Sequence, residues 1–106
     1  MSQPFPPSSG TEAPCTPVSM TNESKQLLAA NLARVKFIIT NPPGSPTPAN
    51  RLFIRWGSPC SNVPGEYSVF LDPGGVYESF IGEWVGEVTG FLNGTGPTVI
   101  SVTELK

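Results

Sequence analysis

No histidine occurs anywhere in the 106 residues, and that absence removes more chemistry than any other feature of the chain. It takes away the commonest general base, the Ser-His-Asp and Cys-His arrangements, and the imidazole ligands of most transition-metal sites. Charge is scarce as well: Asp, Glu, Lys and Arg make up 13% of the residues and leave a net charge of −2, against a usual charged share of about 25%. Arg34 with Lys36 and Arg51 with Arg55 are the only close basic pairs, too few for a surface that tracks phosphates, so no nucleic-acid partner is expected. No apolar run has the length of a bilayer span, and the opening MSQPFPPSSG has neither a basic start nor an apolar signal core. Synthesis in the cytoplasm and no membrane partner are the expectations. On that expectation the sequons at Asn22 and Asn93 are chance matches. The two cysteines, Cys15 and Cys60, lack the CxxC spacing of zinc and redox sites; they either close one long loop or, as a reducing compartment favours, stay thiols.

Proline and glycine are abundant instead. Thirteen prolines and eleven glycines, nearly a quarter of the chain, are hostile to long helices. Short apolar alternations separated by turn residues take their place from Val18 onward, the pattern of an antiparallel all-β domain. Alternation puts Val35, Phe37 and Ile39 on one face, and Leu52, Ile54 and Trp56 on another, with Arg51, Phe53 and Arg55 opposite. Further strands are expected within 67–71, 76–80, 86–92 and 98–105. Asp72-Pro73-Gly74-Gly75 is a turn with a mechanism, since Pro presets the first corner and Gly accepts positive φ. Asn93-Gly94-Thr95-Gly96-Pro97 reads as a hairpin between the last two strands. Residues 22–33 are mostly helix formers after a capping Asn22, yet they sit among short strands; the expectation is a strand over Lys25 to Ala29 and one helical turn around Ala30 to Ala33. With Val18 to Thr21 the total is about eight strands, enough for two packed sheets in a small antiparallel, jelly-roll-like β-sandwich.

Residues 1–17 read as a separate element. They hold five prolines (Pro4, Pro6, Pro7, Pro14 and Pro17) and only Met1, Phe5, Ala13 and Cys15 from the apolar set, too little to fold alone. The expectation is an extended Pro-rich arm on a domain spanning 18–106. At about 3.1 Å per residue such an arm reaches roughly 50 Å. Phe5 is its natural anchor, and Phe5, Pro6, Pro7, Pro14 and Pro17 are its candidate partner-binding residues.

Few residues suggest catalysis. Glu78, Glu83 and Glu87 are close enough in sequence to imagine a glycosidase pair or a Ca²⁺ site, but charged residues at outward strand positions are the default. Gly90, Gly94 and Gly96 precede no helix pattern and read as turn residues, not a phosphate cradle. Trp56, Tyr77 and Trp84 either fill the core or an oligomer interface, or form a platform on which a sugar ring stacks. No catalytic residue, cofactor or metal ligand is assigned.

Together, the runs Leu28-Ala29-Ala30-Asn31, Arg34 into Phe37-Ile38-Ile39-Thr40-Asn41, Leu52 to Gly57, Leu71-Asp72-Pro73-Gly74-Gly75-Val76-Tyr77-Glu78, Gly86 to Gly90 and Val102 to Leu105 resemble a group of small β-sandwich virion structural proteins of tailed bacteriophages. The resemblance covers residues 26–106 and leaves the arm outside. It implies an architecture and a setting, since none of these motifs is catalytic. In that setting the expected role is a non-enzymatic capsid decoration, or cement, protein on the outer surface of the head. The expected partners are the major capsid protein and further copies of the chain, three being favoured. Val18 and Met20, near an exposed strand edge, are expected to pair with a neighbour. The alternative is a tail or fibre module that binds host-surface glycan through Trp56, Tyr77 or Trp84.

Overall fold

The computed structural model describes residues 15–43, 50–94 and 98–106. Eight strands form, and no helix occurs among the described residues: β1 (Cys15–Met20), β2 (Lys25–Leu28), β3 (Lys36–Thr40), β4 (Arg51–Trp56), β5 (Val69–Leu71), β6 (Val76–Glu78), β7 (Val88–Asn93) and β8 (Thr98–Leu105). They build two antiparallel four-stranded sheets, in the order β1-β8-β3-β6 and β2-β7-β4-β5. Every connection but β4 to β5 passes from one sheet to the other. Strands that alternate between two sheets in this order make a jelly roll.

The core lies between the sheets. Phe37 and Ile39 of β3, Leu52 and Ile54 of β4, Val88 and Leu92 of β7, and Ile100 of β8 are fully buried, with Met20 of β1. Full burial of such side chains stabilises by about 1.5–3 kcal/mol each. Gly90 faces inward as well, where a Cβ would stand 3.0 Å from the ends of Leu27 and Met20. Its missing side chain is what lets β2 and β1 close over β7.

Several expectations are corrected here. The hairpin expected between β7 and β8 is not formed, because β7 pairs with β2 and β4 while β8 pairs with β1 and β3; residues 95–97 of the expected turn lie outside the described residues. Turn residues announce that the chain reverses, not which sheet the next strand joins. The boundary expected after Pro17 falls inside β1, whose Cys15, Thr16 and Pro17 pair with Thr103, Val102 and Ser101. Proline is tolerated there because β1 is an edge strand. No helical turn forms at 30–33; Arg34 N donates to Asn31 O at 3.0 Å and Ala33 N to Asn31 Oδ1 at 3.0 Å, which makes a tight turn held by the Asn side chain. The strand expected at 25–29 is present as β2, drawn in by burial of Leu27. Val35, expected inward, precedes β3 and is 38% exposed.

Candidate functional site

At one end of the sandwich the loops 29–35, 57–68 and 79–87 come together, and the three aromatics singled out from the sequence sit beneath them. Trp56, at the end of β4, meets Tyr77 of β6 edge to face at 5.2 Å, and both pack on Phe37 at 5.9 and 6.0 Å. Trp84 lies against Gly86, where a Cβ would fall 2.7 Å from the ring, and its Nε1 donates to Glu87 O at 2.9 Å. All three are half-buried against the core. They pack at the joint between the sheets, each with part of its surface turned toward the core.

The Tyr77 hydroxyl donates to the Glu83 carboxylate, 2.7 Å from Oε2, and Glu83 Oε1 also accepts from Phe80 N at 2.8 Å. Desolvation, then the hydrogen bond to Glu83 and its negative charge, push the phenol up to about 12 from 10.0. The folded state therefore holds this proton where the unfolded chain has lost it. The contribution is whole below pH 10 and disappears as pH rises toward 12. Tyr77→Phe is expected to flatten that alkaline loss in denaturant titrations repeated across this range.

The acidic trio does not converge on one ligand. Glu78 pairs with Lys36 of β3, Glu83 holds Tyr77, and Glu87 Oε2 accepts from Gln26 Nε2 at 2.8 Å. Among the described residues no three His, Cys, Asp or Glu side chains cluster as metal ligands. Both cysteines are free thiols, Cys15 exposed and Cys60 buried. Burial pushes the Cys60 thiol up to about 12, against a smaller downward pull from Arg55, so its reactive thiolate is disfavoured.

The outer faces of the two sheets differ. Sheet register aligns Cys15, Thr103, Ile38 and Glu78 in one row across the first sheet, and Pro17, Ser101, Thr40 and Val76 in the next. Ser19 with Val99 and Lys36 with Leu105 complete the face. Its only charges are Lys36 and Glu78, which neutralise each other, while Val76 and Val99 stand 57% and 54% exposed. The second sheet instead carries Phe53, Phe70 and Phe91 with Tyr67 across them, and Arg51 over the Phe70 ring at 4.4 Å.

Of the sequence-predicted edge residues, Met20 is fully buried and Val18 half-buried against the core. The Met20 side chain is therefore unavailable and that of Val18 only partly accessible, so β1 offers chiefly its backbone edge. Phe5, Pro6, Pro7 and Pro14 lie outside the described residues, while Pro17 is exposed on β1. Sequence reading missed Ile38, Val99 and the loop pair Phe80 and Ile81, though outward alternation marks the first two and Ile81-Gly82 at a strand end marks the others. Comparison with protein-family models, with curated proteins and with solved structures finds no match to this chain.

Proposed function

We propose that this chain is a non-enzymatic virion structural protein, a decoration or cement protein bound to the outer surface of a tailed-phage head. The observation that carries this reading is the outer face of the first sheet, which has no net charge and only the Lys36–Glu78 pair on it. A face of Ser, Thr, Val, Ile and Pro gains little by being left in water and loses little side-chain freedom when covered. Chain entry at Cys15 adds a second argument, because residues 1–14, with Phe5, Pro6, Pro7 and Pro14, start from the edge of that same face. Joining a flat face to a Pro-rich segment makes the second contact intramolecular, which strengthens retention without new affinity in either part. The proposed partner is the major capsid protein, reached after synthesis in the host cytoplasm.

Quantitative mass spectrometry of purified particles tests the reading. A copy number comparable to that of the major capsid protein supports a surface-lattice role, a handful of copies moves the protein to the tail or a vertex, and absence removes the virion reading. The arm is tested separately. A chain beginning at Cys15 keeps β1 whole and is expected to unfold at an unchanged denaturant midpoint while its occupancy on particles falls. Unchanged occupancy would count against any clamping by residues 1–14.

A further inference from the structure

Phe80 and Ile81 lie in the loop that leaves β6, 80% and 78% exposed. Beside them runs an open groove of about 440 Å³, lined by Lys36, Glu78, Ser79, Phe80 and Ile81. The loop is tied down on every side. Ser79 N donates to Phe37 O, Ser79 Oγ accepts from Phe37 N, Phe80 N donates to Glu83 Oε1 and Gly82 N donates to Val35 O. Two large apolar side chains are thus held out in water on a fixed knuckle, where little ordering remains to oppose binding.

We propose that this knuckle is a self-association surface, on which a second copy of the chain seats its Phe80 and Ile81 in the groove and receives the first copy's pair in return. Ridge and groove lie side by side in one patch, Phe80 and Ile81 bordering the groove that Lys36, Glu78 and Ser79 also line, and a contact about a two-fold axis uses one such patch on both copies. Charge selects the occupant. The patch carries one cation and one anion, Lys36 and Glu78, already paired with each other, and Glu83 beside them is held by Tyr77. A strongly acidic or basic partner finds nothing to match, whereas two copies bring no net like charge together and can exchange the Lys36–Glu78 pairing across the axis. Sequence alone favoured three copies; a patch complementary to itself favours two, because a threefold ring joins two different patches. The inference needs only this chain, and it shares Lys36 and Glu78 with the edge of the face on which the capsid reading rests.

Sedimentation velocity of the full chain over a micromolar concentration series reads the outcome. A monomer–dimer equilibrium is expected, and Phe80→Ser/Ile81→Ser is expected to weaken it by at least about tenfold, since anchors of this kind carry most interface energy. Lys36→Glu alone is expected to weaken the dimer and Lys36→Glu/Glu78→Lys to restore it. Both replaced apolar residues are exposed, so circular dichroism is expected to show every variant folded. A monomer at all concentrations, a trimer, a dimer indifferent to the apolar substitutions, or a charge swap that fails to restore association would each overturn the proposal.

Discussion

Replacing Arg34 with methionine is expected to cost about 3–5 kcal/mol of unfolding free energy, the toll of breaking a buried ion pair by removing one partner. The Arg34 side chain is fully buried, and its donors are divided among three segments of the chain. Nε donates to Glu104 Oε2 at 2.8 Å, Nη1 to Gly86 O at 2.9 Å and Trp84 O at 3.2 Å, and Nη2 to Ala29 O at 2.5 Å. One guanidinium therefore ties the loop before β3 to the end of β8 and to the loop that enters β7. Methionine fills much of the same space but leaves three carbonyls and a carboxylate without their donor. Lysine is expected to rescue little, because a single ammonium cannot reproduce the planar fork that serves carbonyls on opposite sides. Urea titration measures the difference. A loss below about 1 kcal/mol, the range of exposed pairs, would mean that water replaces the guanidinium at little cost. Since small domains have only about 5–15 kcal/mol in total, the variant is expected to sit close to its unfolding threshold.

Phe37→Ala is the second large effect, expected at about 3–5 kcal/mol from lost burial and the cavity left behind. Phe37 is fully buried and bridges the sheets, with Trp56 of the second sheet on one side and Tyr77 of the first on another. The Arg34 guanidinium also lies 5.7 Å from its ring centre. Removing the ring is expected to loosen the Trp56 indole packed on it, which tryptophan fluorescence reports as a red shift while the chain is still folded. Because Arg34 and Phe37 touch, their effects are expected not to add, and a double-mutant cycle measures the coupling directly. Phe80→Ala provides the contrast. An equally large aromatic, but 80% exposed, it is expected to change stability by no more than about 0.5 kcal/mol.

The two predictions differ in how readable their residues were. Phe37 is legible from alternation alone, because Lys36-Phe37-Ile38-Ile39-Thr40 sorts its residues onto two faces whichever neighbour the strand acquires. Arg34 is not. In the sequence it is half of a small basic pair with Lys36, and nothing within a turn of it names Glu104, Trp84 or Gly86, which lie 70, 50 and 52 positions away. The aromatics divide in the same manner. Trp56 and Tyr77 are recognisable as strand residues with an inward option, but that they meet each other over Phe37 depends on β4 and β6 belonging to opposite sheets. The charge-poor face is hidden for the same reason, since its rows are assembled from β1, β8, β3 and β6, strands far apart along the chain.

The sequence by itself determined the all-β class, the number of strands, the inward positions Phe37, Ile39, Leu52 and Ile54 and the lack of imidazole chemistry. These follow from local composition and from a side-chain period of two that any extended segment obeys. Tertiary structure decided which sheet each strand joined, that β7 and β8 belong to opposite sheets, and that Met20 points inward from an edge on which Pro17 is exposed. Strand pairing is a competition among distant segments to bury apolar faces and satisfy backbone groups together, and its outcome depends on the whole set of strands at once, which no single stretch of sequence contains.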